Sequence, residues 1–153
     1  MPPFQQFLDT HRDVVFRFLV AMVGLDEAED CFQETFVSAL RAYPRLGERS
    51  NLRAWVLTIA HRKAIDALRA RKRRPLPVEE VPERPSGEPS LNGRSEVWAA
   101  ARELPGKQRE ALLYRFAADL PYSDVAGVLG CSEEAARQRV SEGLRNLREA
   151  WQS

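Results

Sequence analysis

The stretch DVAGVLGCSEEAARQRV, residues 124–140, has the spacing of a helix-turn-helix. Two helices that cross closely at a tight turn need a small residue in the first helix and a turn residue that tolerates positive φ. Ala126 and Gly130 meet these two needs. Five apolar residues can clamp the two helices together: Val125, Leu129, Cys131, Ala136 and Val140. The stretch therefore predicts a DNA-reading unit, with an ordinary αα-hairpin of a helical bundle as the alternative.

The outward face of the second helix carries side chains suited to DNA. Arg137 and Gln138 can bond bidentately to guanine or adenine edges, and Arg139 can contact phosphates. Ser132 can cap this helix through its side-chain oxygen, and Ser141 lies on the outward face. These residues favour DNA binding over a plain hairpin.

Two acids, Glu133 and Glu134, stand at the start of this second helix. A carboxylate in the first turn is stabilised by the helix dipole and by free backbone N–H groups, so a structural role accounts for both. The alternative is that Glu134 accepts a hydrogen bond from a cytosine amino group. Either way the acids weaken non-specific attraction, and this unit alone should bind DNA poorly.

The formal net charge is +1, but the charges are segregated along the chain. Residues 1–40 carry a net −5, residues 41–74 carry +9, residues 75–100 carry −3, and residues 101–153 are neutral. Because phosphate contacts supply most non-specific affinity for nucleic acid, the +9 block indicates a polyanion surface. The near-neutral total does not exclude a DNA-binding protein.

The predicted fold is all-α, with two small helical domains joined by a flexible linker. Residues 75–95 are rich in proline and glutamate and predict the linker between a domain of residues 1–74 and a helix-turn-helix domain of residues 96–153. Apolar periodicity predicts these helices: 4–22, 26–43, 51–72, 96–103, 107–118, 122–129 and 132–151. Asp26 and Ser50 are the predicted N-caps of the second and third, and Leu40 and Leu144 are predicted to face inward.

Several function classes find no support in the sequence. Cys31 and Cys131 lie far apart at apolar helical positions, which predicts buried reduced thiols rather than a disulfide or redox sensor. His11 and His61 share no metal-ligand spacing with them, so we expect neither a metal site nor a cofactor. No apolar run approaches the roughly 20 residues of a membrane helix, and the N-terminal residues lack the basic and apolar regions of a signal peptide. A cytoplasmic protein without membrane insertion is the expectation.

Two longer motifs resemble one protein family. AEDCFQETFVSAL, residues 28–40, with NLRAWVLTIAHRKAIDALRARKRR, residues 51–74, resembles the promoter-melting domain of bacterial RNA polymerase sigma factors of the extracytoplasmic-function (ECF) group. Residues 104–140 resemble the second domain of that group. Arg62, Pro121, Ser141 and Glu142 depart from residues frequent in the family, which bears on promoter preference rather than on membership.

The resemblance implies a sigma factor that binds core RNA polymerase and promoter DNA and is itself not an enzyme. It assigns polymerase binding to Asp30, Gln33, Glu34 and Phe36, and capture of the −10 element as single strand to Arg53, His61, Arg62, Lys63 and Arg69. It assigns the −35 element to the helix-turn-helix, through Ser132, Glu134, Arg137, Gln138, Arg139 and Ser141. The linker would thread through the polymerase, and an anti-sigma partner is expected by family analogy.

Two other functions compete with this interpretation. A stand-alone helix-turn-helix regulator explains residues 120–148 but leaves residues 28–40 and the basic helix unexplained. An enzyme acting on nucleic acid would need a metal-spaced cluster or a glycine loop that cradles phosphate, and the sequence contains neither.

Overall fold

A computed structural model describes residues 2–47, 51–73 and 89–152 of the chain. Within these ranges the protein is all-α and contains no strand, as the sequence predicts. Three long helices form the first half: α1 (Phe4–Val23), α2 (Leu25–Ala42) and α3 (Leu52–Arg73). The second half contains α4 (Pro89–Arg102), α5 (Gly106–Leu112), α6 (Tyr122–Leu129) and α7 (Glu133–Gln152).

The turn between α1 and α2 differs from its prediction. Gly24 has φ 87° and ψ 164°, and its backbone N–H donates to the carbonyl of Val20, so one residue ends α1 and precedes α2. Asp26 therefore lies in the first turn of α2, and the N-cap residue is Gly24. A carboxylate in that turn still stabilises the helix through the free N–H groups and the dipole.

The start of α3 lies beside a gap in the described ranges. The side-chain oxygen of Asn51 accepts a hydrogen bond from the backbone N–H of Ala54 at 3.1 Å. Asn51 thus satisfies one of the free donors at this end of the helix. The predicted cap, Ser50, falls outside the described residues.

The second half departs from its prediction at two places. The first helix, α4, begins at Pro89 rather than at Glu96, so the end of the predicted linker is helical, while residues 75–88 lie outside the described ranges. The predicted helix 107–118 is divided instead. It is α-helical to Leu112 and continues as a π-turn over Leu113–Ala117, in which the N–H of Ala118 donates to the carbonyl of Leu113 at 3.0 Å.

The two halves pack against each other through one hydrophobic cluster. The rings of Phe18 on α1 and Tyr114 in the π-turn stack with centroids 5.1 Å apart and an interplanar angle of 27°. Nε of Arg17 donates to the carbonyl of Ala117 at 3.1 Å, and Arg102 on α4 donates to the carbonyl of Ala21 at 3.0 Å. The sequence left the relative placement of the halves open, and these contacts define it.

Two leucines do not lie where the apolar stripes predict. Leu40 on α2 is 54% exposed, and Leu144 on α7 is 37% exposed. The inward face of α2 includes Cys31, Phe36 and Ala39, which are buried. A stripe of width 100° or more leaves its edge residues undecided from sequence alone.

Candidate nucleic-acid interface

The turn between α6 and α7 has the predicted helix-turn-helix geometry. Gly130 adopts the left-handed conformation, φ 69° and ψ 38°, and both its N–H and that of Cys131 donate to the carbonyl of Ala126. Ser132 caps α7, since its Oγ accepts from the N–H of Ala135 at 3.0 Å. Ala126 is buried, which allows the close crossing that the motif requires.

The exposed face of α7 presents the side chains predicted to contact DNA. Glu134, Arg137, Gln138 and Ser141 are exposed, whereas Arg139 is half-buried. Nε2 of Gln138 donates to Oε1 of Glu142 at 3.2 Å, which orients the amide along the helix. The face therefore offers a guanidinium, an amide and a hydroxyl to a partner, the groups that read base edges.

The arginines of α7 differ in their surroundings. The guanidinium of Arg137 lies 4.4 Å from the centroid of the Tyr122 ring and 4.0 Å from the carboxylate of Glu133. Arg139 and Lys107 line a groove of about 400 Å³ between the start of α5 and α7. Arg137 thus stands on the outward face, and Arg139 beside a second basic residue.

The basic face of α3 contacts the second half of the chain. The Nε2–H of His61 donates to Oε1 of Glu110 on α5 at 3.1 Å. Arg62 and Arg69 are exposed, and Arg53 and Lys63 are half-buried. Among residues 2–47, 51–73 and 89–152, no salt bridge involves Arg53, Arg62, Lys63 or Arg69, whereas His61 is engaged by Glu110 of the other half.

One further cation of this face has a structural role. Arg71 donates to Oε1 of Glu27 at 2.8 Å and to the carbonyl of Val23 at 3.0 Å, so it binds the end of α1 and the start of α2. Arg71 belongs to the +9 block of residues 41–74, which the sequence predicts to be a polyanion surface. Cations near a helix C-terminus interact favourably with its free carbonyls, and this contact accounts for Arg71 better.

On α2 the structure separates the residues predicted to bind polymerase. Asp30, Gln33 and Glu34 are exposed. Phe36 is only 6% exposed and packs against Phe7 and Phe32, so it belongs to the core and not to the exposed face of α2.

Sequence reasoning missed two apolar residues of the same surface. Val37 is 48% exposed and Leu40 is 54% exposed. Val37 follows Glu34 by three residues and Gln33 by four, and Leu40 follows Val37 by three, a spacing that places side chains on one helix face. We call Asp30, Gln33, Glu34, Val37 and Leu40 the α2 surface. The spacing could have predicted this apolar addition to the surface from the sequence. It was missed because Leu40 was predicted to face the core.

Comparisons with known proteins cover both halves. A family model for Sigma-70 region 2 matches residues 7–74, and a model for Sigma-70, region 4 matches residues 94–147. The ECF RNA polymerase sigma factor SigC of Mycobacterium tuberculosis is 34% identical over 144 residues, which cover 90% of this chain and 77% of that protein. The chain belongs to the ECF sigma factors. It is a sigma factor of RNA polymerase, and its function is promoter recognition in transcription initiation.

The chain is also similar to other sigma factors and to solved structures. The chain is similar to RNA polymerase sigma factor CarQ of Myxococcus xanthus, with 29% identity over 95% of this chain and 87% of that protein. A solved structure of the sigma factor RpoE, in complex with the anti-sigma factor NepR from Bartonella quintana, superposes with a TM-score of 0.77 and 27% identity. That match covers 97% of this chain and 96% of the other. A structure of CnrH, with 19% identity and the same TM-score, has the same fold.

Within this sigma factor, burial and charge shift the pKa values of Glu110, Cys31 and His11, among others. The hydrogen bond from His61 lowers the pKa of Glu110, with Arg109 and Arg139 adding to the effect and burial opposing it. Burial, together with the nearby acids Glu34, Glu27 and Asp30, raises the pKa of Cys31 to about 11. Burial, and secondarily Arg53, lowers the pKa of His11. Cys31 is therefore an unreactive core thiol at neutral pH.

Over residues 2–47, 51–73 and 89–152, no three His, Cys, Asp or Glu side chains are grouped so as to hold a metal ion. In the same ranges no helix is long and apolar enough to cross a membrane.

Proposed function

We propose that α7 of this sigma factor reads duplex −35 DNA. Arg137 and Gln138 would contact base edges, Glu134 and Ser141 would lie beside them, and Arg139 would contact a phosphate. Ser132 would hold the start of the helix at the backbone. The support is the exposed outward face of α7 and the turn at Gly130 that fixes the helix against α6.

We propose that α3 captures the −10 element as single strand. Trapping an unpaired strand needs cations along its backbone, which the exposed Arg62 and Arg69 and the half-buried Arg53 and Lys63 supply. His61 stands on the same helix and would join them once its bond to Glu110 is broken. The +9 charge of residues 41–74 gives this half the larger share of the attraction to DNA.

We propose that the α2 surface binds core RNA polymerase. Its acids belong to a segment of net charge −5, which repels DNA and suits a protein partner. Val37 and Leu40 add apolar area beside Glu34, as expected at the centre of a protein interface with a charged rim. No catalytic step is assigned to this chain, because the polymerase forms the phosphodiester bonds of the transcript. The chain would act with the polymerase in the cytoplasm.

The packed arrangement of the two halves bears on when promoter DNA can bind. Glu110 engages His61, and α6 packs against α3, so the second half covers part of the proposed single-strand surface. We propose that the halves separate when the sigma factor joins the polymerase. An anti-sigma protein that binds the packed arrangement would oppose this step, a partner suggested by the complex of the related sigma factor RpoE with NepR.

One observation supports the proposal most strongly: a helix-turn-helix with an exposed Arg137 and Gln138 occurs in the same chain as a separate basic helix and an acidic α2 surface. A footprint on promoter DNA tests it. Protection should require both this chain and core polymerase, and Arg137→Ala with Gln138→Ala should abolish −35 discrimination while core binding persists. Specific protection by the chain alone would support the stand-alone regulator instead.

A further inference from the structure

One aromatic ring, that of Tyr122, lies next to two guanidinium groups. The Cζ of Arg137 is 4.4 Å from the ring centroid, and the Cζ of Arg115 is 4.7 Å from it. Tyr122 is the first residue of α6, and Arg137 lies in the second turn of α7. The ring therefore joins the helix that supports the turn to the helix proposed to read the −35 element.

The second guanidinium belongs to an anchored side chain. Nη1 of Arg115 donates to the carbonyl of Leu120 at 3.1 Å, which fixes Arg115 between the π-turn and the start of α6. Tyr122 itself is half-buried and packs against the hydrophobic core. Its ring thus has a defined position, and a guanidinium beside an aromatic ring is attracted by the electron-rich face.

Arg137 needs such support, because its side chain is 62% exposed and long. The ion pair with Glu133 is 4.0 Å long between two exposed side chains and contributes little. Reading a base edge with both nitrogens requires a planar fork in one orientation. Fixing the fork before binding reduces the conformational entropy lost on the DNA.

We propose that Tyr122 is the positioning residue of Arg137, so that the base pair read by Arg137 is discriminated through the tyrosine ring. The inference rests on the proposed −35 contact of Arg137 and adds a determinant of specificity that does not itself touch DNA. The proposal also explains how α7 can discriminate bases although it carries little net charge, because the protein itself sets the orientation of Arg137.

Promoter binding by the complete complex of this chain with core polymerase tests the proposal. The probe is a promoter obtained by footprinting, with each −35 base pair substituted in turn. Tyr122→Leu should lower the preference at the base pair read by Arg137 by about two- to five-fold, the factor expected for an exposed cation–π contact. Tyr122→Phe keeps the ring and should retain the preference.

The same substitutions in an Arg137→Ala background separate positioning from general support of the fold. There Tyr122→Leu should have no further effect on base preference. The proposal would be overturned if Tyr122→Leu lowered the base preference by the same factor with and without Arg137. It would also be overturned if Tyr122→Leu left the preference unchanged or stronger, or if Tyr122→Phe lost as much preference as Tyr122→Leu. Arg137→Ala that leaves every −35 preference intact would refute the proposed −35 contact itself.

A second variant protects the test against unfolding of Tyr122→Leu, which thermal melting would reveal. Arg115→Gln keeps the ring and removes the anchored cation beside it. We expect the preference at the same base pair to fall, by a smaller factor than in Tyr122→Leu, with the core affinity of the complex unchanged. An undiminished preference in a folded Arg115→Gln variant counts against the positioning role.

Discussion

His61 on α3 and Glu110 on α5 are joined by a hydrogen bond of 3.1 Å across the contact between the two halves of the chain. The side chains are 20% and 28% exposed, so the bond is shielded from water but not sealed from it. One partner belongs to the proposed single-strand surface, and the other precedes the helix-turn-helix. The bond therefore links the exposure of His61 on the proposed single-strand surface to the packing of the second half against α3.

Removing the charge of Glu110 should loosen the packing of the halves. We expect Glu110→Gln to weaken the contact by about 1 kcal/mol, the order of a partly exposed charged hydrogen bond. Small-angle scattering should show a larger radius of gyration, and hydrogen exchange should rise in α3 around His61. Glu149→Gln, an exposed acid on α7, is the matched control. Unchanged dimensions in Glu110→Gln would contradict the role of this bond.

The same bond should make the packing depend on pH. Because His61 lowers the pKa of Glu110, the stabilisation is complete above the ordinary carboxyl pKa and is lost as pH falls through the lowered value. The difference in urea midpoint between the wild type and Glu110→Gln should be largest near pH 7 and should shrink as pH falls below about 4. A difference that stays constant or grows with acidification would contradict this linkage.

Two glycines of the helix-turn-helix should respond oppositely to alanine. Gly130 has φ 69°, where alanine is strained, so Gly130→Ala should lower the free energy of unfolding by about 1 kcal/mol. Gly127 lies within α6 with nothing within 4 Å of an added Cβ, so Gly127→Ala should raise it by about 0.5 kcal/mol. Urea denaturation of both variants measures the contrast. A stabilised Gly130→Ala would contradict the turn geometry.

The α2 surface should control binding to polymerase. Asp30→Ala with Glu34→Ala should weaken core binding, since both carboxylates are exposed beside Val37 and Leu40. Surface plasmon resonance with immobilised core enzyme gives the affinity. Asp9→Ala with Asp13→Ala removes the same charge from exposed positions on α1 and is the control. Equal affinity of the two double variants would refute the assignment.

Much of the fold follows from local signals in the sequence. Gly130, Ser132 and the apolar residues around them predict the helix-turn-helix, because a turn with positive φ and a capped helix are specified by neighbouring residues. Prediction of the second N-cap failed for a local reason as well. Gly24 combines the end of α1 with the start of α2, leaving Asp26 inside the helix.

Other features depend on contacts that no local pattern contains. The stacking of Phe18 on Tyr114 joins residues far apart in the chain, and the division of the predicted helix 107–118 at a π-turn accompanies that contact. The exposure of Leu40 follows from how α2 packs on its neighbours. For the site, the types of residue were predictable, but the engagement of His61 by Glu110 was not.

The most direct test of the central claim is run-off transcription from a library of genomic fragments with purified core polymerase, with and without this chain. Addition of the chain should yield discrete transcripts whose start sites share −35 and −10 elements, and Arg137→Ala with Gln138→Ala should remove the −35 consensus. Transcripts that are the same with and without the chain would contradict its role as a sigma factor.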